Sequence, residues 1–171
     1  MLGRSIVIMG EMQMDQKYGA ETIDELSDPA KWEIWPAPEH HPEVLYQHFP
    51  EFTCLCPRSN YPDFAAVHQV LIPNRQVIEL KHLKLWLNSF RNREISHELA
   101  TAEIVDTLAK TLDLHYIFVL MEYTPRGNLT TIPMVEYRNP RLHELTRDAP
   151  LANALENACR IKNRLIDRVV G

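Results

Sequence analysis

From Phe64 onward the chain changes character, because AAVHQVLI alternates apolar and polar positions and is rich in β-formers, as a half-buried strand requires. PNR then makes a turn before QVIEL, and the pair predicts an antiparallel hairpin. Leu80, Leu83, Leu87 and Phe90 follow at three- and four-residue spacing, which marks one face of a helix with Lys81 and Lys84 beside it. A second helix starts after Ser96, a good N-cap, with Glu98 in the first turn where the helix dipole favours an anion; Ala100, Ile104, Leu108 and Leu112 form its apolar stripe. HYIFVLMEY and NLTTIPMVEY then read as two strands joined by TPRG, with Gly127 free to take a positive φ. The order is ββααββ, an α+β arrangement.

Two flanking segments differ from this body. Pro29, Pro36, Pro38, Pro42 and Pro50 interrupt every helical pattern early in the chain, so residues 1–50 read as an arm of short extended pieces packed on the body. After Pro150, Leu151, Leu155, Ala158, Ile161 and Leu165 recur at helical spacing, so residues 141–171 read as an amphipathic helical extension that docks on the body or on a neighbouring subunit. Residues 51–140 read as the body between them. No internal repeat or low-complexity tract interrupts the pattern.

A chain of 171 residues with 45% hydrophobic content builds one core without staples. Its 18 basic against 23 acidic residues give a formal charge of −5, and the basic residues are scattered, which argues against a general nucleic-acid or membrane surface. Three cysteines, at 54, 56 and 159, fit no disulfide framework and point to the cytoplasm. The apolar run SIVIM is too short to cross a bilayer and leads into Gly10 and Glu11 rather than a small-residue cleavage site.

Chemistry concentrates in EFTCLCPRSNYPDF (51–64). Three readings of Cys54-Leu-Cys56 are open: small apolar fillers, two metal ligands with His97 as a third, or a nucleophile whose thiolate needs a cation, a helix N-terminus or an acid–base partner to form near neutral pH. Asp63 is a partner of that kind if the loop folds back. In ELKHLKLW, Lys81 and Lys84 share one side of a helix, either as a phosphate site or as a solvated face. Arg126-Gly127 has the same two readings. Glu98, beside His97, either complements the helix dipole or takes two hydrogen bonds from the edge of a guanine-like base.

Taken together, EFTCLCPRSNYPDFA, VIELKHLKLWLNSFRN, ISHE and EYTPRGNL, in this order, resemble the QueF family of NADPH-dependent nitrile reductases of queuosine biosynthesis. The likeness spans about Phe52 to Tyr137. It implies the tunnelling fold, an antiparallel ββααββ sheet with two helices on one face, and reduction of 7-cyano-7-deazaguanine to 7-aminomethyl-7-deazaguanine with two NADPH. It also implies Cys56 as the nucleophile that forms a thioimide and Asp63 as its proton partner. His97, Glu98 and Glu79 fall in the substrate site, and Lys81, Lys84, Arg126 and Gly127 in the cofactor site, with no metal. The single-domain members imply a homo-oligomer, a decamer of two five-membered rings with sites at subunit interfaces. His82 departs from the family pattern, which has a small residue between the two lysines. Relatives of the same fold that use ammonia to form an amidine, and zinc-dependent cyclohydrolases, are the rival activities.

Overall fold

The computed structural model describes Glu25, residues 27–38 and residues 40–171. The run SIVIM and most of the first half of the expected arm lie outside those residues. What precedes the main sheet is a short 3-10 turn at Pro29–Lys31 and the strand β1 (Ile34–Pro36).

The sheet has four antiparallel strands in the order β2-β3-β5-β6: β2 (Leu45–Leu55), β3 (Pro62–Ile72), β5 (Tyr116–Tyr123) and β6 (Met134–Arg138). The hairpin expected between AAVHQVLI and QVIEL does not form. Instead, β3 pairs with β2, and QVI forms β4 (Gln76–Ile78), which pairs with β1 in a separate two-stranded sheet. Strand β2 thus begins inside the segment that the prolines mark as an arm. Pro50 is tolerated because it falls at the register shift between Phe49 and Phe52 on an edge strand, where a missing N–H costs little of the ladder.

Helix α1 (Leu80–Asn88), extended by a 3-10 turn over Ser89–Asn92, and helix α2 (His97–Leu112) cover one face. Odd-numbered residues of β3 and β5, among them Val67, Leu71, Ile117, Val119 and Met121, join Leu83, Trp86, Leu87, Phe90, Ile104 and Leu108 in that core. Leu80, counted in the apolar stripe of α1, is 65% exposed, and Trp86 takes the buried place. Ser96 caps α2 as expected, its Oγ accepting from the Leu99 N–H. A bidentate pair between Arg93 and Glu103, both contacts 2.7 Å, ties the approach to α2 back onto the helix.

Even-numbered residues, including Val70, Ile72, Phe118 and Leu120, face the other way. A short helix α3 (Leu142–Leu145) leads to α4 (Ala149–Val170), which lays Leu151, Ala154, Ala158 and Leu165 on that second face. The final helix therefore docks on its own body, and burying its two leucines contributes about 3–6 kcal/mol. Among the described residues no helix is long and apolar enough to cross a membrane.

Candidate active site

Cys54 is the residue of β2 opposite Asp63 of β3, so the sheet register brings the thiol and the carboxylate side by side. Cys56 lies just past the strand end, where CPRSNY turns back. Its N–H donates to the Tyr61 carbonyl and its carbonyl accepts from Asn60, which takes a left-handed φ of 53°.

That turn separates the two cysteines chemically. Cys54 is fully buried, its Sγ directed at the Ile95 carbonyl and its thiol in reach of Tyr123; burial pushes its pKa up to about 11, so it remains a thiol. Cys56 is partly exposed. The Ser59 hydroxyl, followed by the N–H groups of Arg58 and Ser59, donates to its sulfur and lowers its pKa. All three cysteines are free.

Asp63 is 4% exposed and held from two sides. Arg126 Nε lies 2.7 Å from Oδ1, and His97 Nε2 lies 3.3 Å from Oδ2. Arg126 also donates to the Pro62 carbonyl at 2.7 Å and lies over the Tyr61 ring. It is positioned by a tight turn in which Gly127 and Asn128 both have positive φ, 55° and 65°. His97, the first residue of α2, stacks on Tyr123 with ring centroids 3.7 Å apart. Burial pushes the Tyr123 phenol far up in pKa, so the ring on which His97 stacks is uncharged. Glu98 follows in the first turn of α2, exposed, with no hydrogen-bonded partner among the described residues. A cysteine of lowered pKa, a buried carboxylate and a histidine thus converge around the start of α2. Among the described residues no group of three His, Cys, Asp or Glu side chains is placed to hold a metal.

Lys81 and Lys84 lie elsewhere. Both are exposed on α1, and Lys84 lines a cleft of about 270 Å³ with Gln47, Phe49, Val67, Gln69 and Leu80. From Phe49 to Cys56 along β2 is about 20 Å at strand rise. Arg126, expected beside the lysines, sits at the cysteine end instead. Glu79 is the N-cap of α1, its carboxylate accepting from the His82 N–H and bonded to His82 Nδ1, each at 3.0 Å. Its pKa is lowered chiefly by the Lys81 N–H. This accounts for His82, which closes the cap.

Ser59, Tyr123 and the glutamine pair Gln47 and Gln69 were not singled out by sequence. Only Ser59 carries a local signal, as a hydroxyl three residues after Cys56.

The family described as QueF-like protein matches residues 62–142. An NADPH-dependent 7-cyano-7-deazaguanine reductase of a Nitratiruptor species is 47% identical over 116 residues, covering 68% of this chain and 88% of that protein. The protein of the same name from Aquifex aeolicus is 47% identical over 122 residues, covering 71% and 92%. A crystal structure of the archaeosine synthase QueF-Like in the apo form superposes with a TM-score of 0.51 at 20% identity, covering 60% of this chain and 97% of that one, which shows a shared fold. By its identity to these reductases over nearly their whole length, the chain belongs to the QueF family.

Proposed function

We infer that this protein reduces the nitrile of 7-cyano-7-deazaguanine to the aminomethyl group with NADPH, through a thioimide on Cys56. One observation carries the reading: a cysteine whose thiolate is favoured by the Ser59 hydroxyl stands beside a buried carboxylate fixed by Arg126 and His97. The names of the two similar reductases support substrate and cofactor.

Cys56 Sγ bonds to the nitrile carbon while one C–N π bond opens, and the nitrogen takes a proton delivered by way of Asp63. His97 Nε2, in contact with Asp63, returns that proton. When bound in turn, two NADPH molecules would each supply one hydride to the substrate carbon, and the C–S bond breaks between the two additions to release Cys56. Glu98 accepts hydrogen bonds from the guanine-like edge and disfavours bases that leave its carboxylate unpaired. Lys81 and Lys84 fit NADPH as a pair of exposed ammonium groups for its phosphates.

The separation of about 20 Å between the lysine cleft and Cys56 supports a site shared between subunits, since hydride transfer requires contact. Strands β2 and β6 are the sheet edges available for closing a ring. We place the protein in the cytoplasm as a ring-forming homo-oligomer, a decamer of two rings; three free thiols suit a reducing compartment.

The test is NADPH oxidation upon addition of the cyano-deazaguanine, together with intact-mass detection of the covalent adduct. Turnover with a persistent adduct on Cys56→Ala excludes this mechanism; activity with ammonia in place of NADPH assigns the amidine-forming reaction instead.

A further inference from the structure

The cleft beside Lys84 contains a polar feature that phosphate binding does not use. Gln47 of β2 and Gln69 of β3 are directly opposite in the sheet, and Gln69 Nε2 donates to Gln47 Oε1. Gln69 is 2% exposed, and its Oε1 has no hydrogen-bond partner among the described residues. A buried amide oxygen left in this state keeps an uncompensated desolvation penalty, so a ligand that donates to it is favoured. Two amides joined in series present one acceptor, Gln69 Oε1, and one donor, Gln47 Nε2. Around them the walls are apolar: Phe49, Val67, Leu80, Leu83 and Leu87. The cleft is at the small end of ligand sites and accommodates one planar base rather than a dinucleotide.

An acceptor next to a donor complements an exocyclic amino group next to a ring nitrogen, the pairing by which a glutamine amide reads adenine. Lys84 lines the same cleft, and Lys81 precedes it by three residues on α1. We propose that this cleft is the adenine subsite of the cofactor, with Gln69 and Gln47 reading the amino edge and Lys84 and Lys81 meeting the phosphate on the adenosine ribose. The proposal rests on the NADPH reading above and assigns which end of the dinucleotide each cluster holds: adenine at the Gln47–Gln69 cleft, nicotinamide at Cys56.

Binding is measured by isothermal titration, without turnover, for NADPH and for its deaminated analogue, nicotinamide hypoxanthine dinucleotide phosphate in reduced form. In the analogue a carbonyl replaces the amino group and would face Gln69 Oε1. The wild type is expected to bind NADPH about tenfold or more tightly than the analogue. Gln69→Leu is expected to bring the two affinities together, and Gln47→Leu serves the same purpose if Gln69→Leu does not fold. Equal affinities in the wild type overturn the proposal, as does discrimination that survives in both variants. Discrimination without nitrile reduction would keep the subsite and remove the function; reduction without discrimination would do the reverse.

Discussion

Arg126 Nε lies 2.7 Å from Oδ1 of Asp63, joining the turn after β5 to the start of β3. A residue expected among phosphate contacts is thereby committed to the carboxylate near Cys56, and this relationship separates two classes of mutational effect.

Arg126→Ala is expected to reduce kcat about a hundredfold while leaving the KM for NADPH nearly unchanged, because Arg126 orients Asp63. Lys84→Ala is expected to do the opposite, raising the KM for NADPH about tenfold or more with a smaller change in kcat. Steady-state kinetics with varied NADPH distinguish the two. A large KM effect for Arg126→Ala would return it to the cofactor site.

Ser59→Ala removes the first contributor to the lowered pKa of Cys56, so the thiolate should form at higher pH. The rate of iodoacetamide alkylation, followed against pH, is expected to rise at a higher midpoint than in the wild type. An unchanged midpoint would assign the effect to the backbone N–H groups alone.

Cys54 behaves as core. Cys54→Ala is expected to cost about 1–3 kcal/mol in denaturant unfolding and to leave adduct formation on Cys56 intact. In the wild type the folded pKa of Cys54 exceeds its ordinary value of 9.0, so its stabilising contribution is complete below pH 9 and is lost as pH rises through about 11. Cys54→Ala should flatten the alkaline fall in stability.

His68 sets the acid side. It is 3% exposed, its Nδ1 2.8 Å from the Tyr46 hydroxyl and its Nε2 4.0 Å from Glu122, with the His48 ring stacked on it and Arg168 nearby. Burial first, then His48 and Arg168, lower its pKa from 6.5 to about 4. The folded state resists protonation, so stability is full above pH 6.5 and declines as pH falls through 4, by about 3 kcal/mol. Denaturant midpoints of wild type and His68→Gln between these pH values check this, and an equal slope in both would locate the acid sensitivity elsewhere.

Glu79→Ala removes the N-cap of α1 and is expected to cost about 1 kcal/mol in stability. The KM for the nitrile should not change, since the contacts of the Glu79 carboxylate are to His82 and the Lys81 N–H of its own helix. A raised KM would restore Glu79 to the substrate site.

The sequence by itself determined both α1 and α2, the second pair of strands, the cap at Ser96 and the final helix, because each rests on periodicity and capping within one segment; the ββααββ order stands with β2 and β3 as its first pair rather than β3 and β4. It also named Cys56 with Asp63 and His97 with Glu98, from two short local stretches and family likeness. Tertiary structure decided what local pattern cannot encode. Pairing of β3 with β2 rather than β4 depends on long-range register, and that register sets Cys54 against Asp63. Alternation along a strand puts Cys54 and Cys56 on one face but does not say which is buried; the turn after Leu55 makes that difference. Arg126 reaches Asp63 across 63 positions of sequence, and Gln47 meets Gln69 across the sheet, so neither contact leaves a periodic trace in the chain.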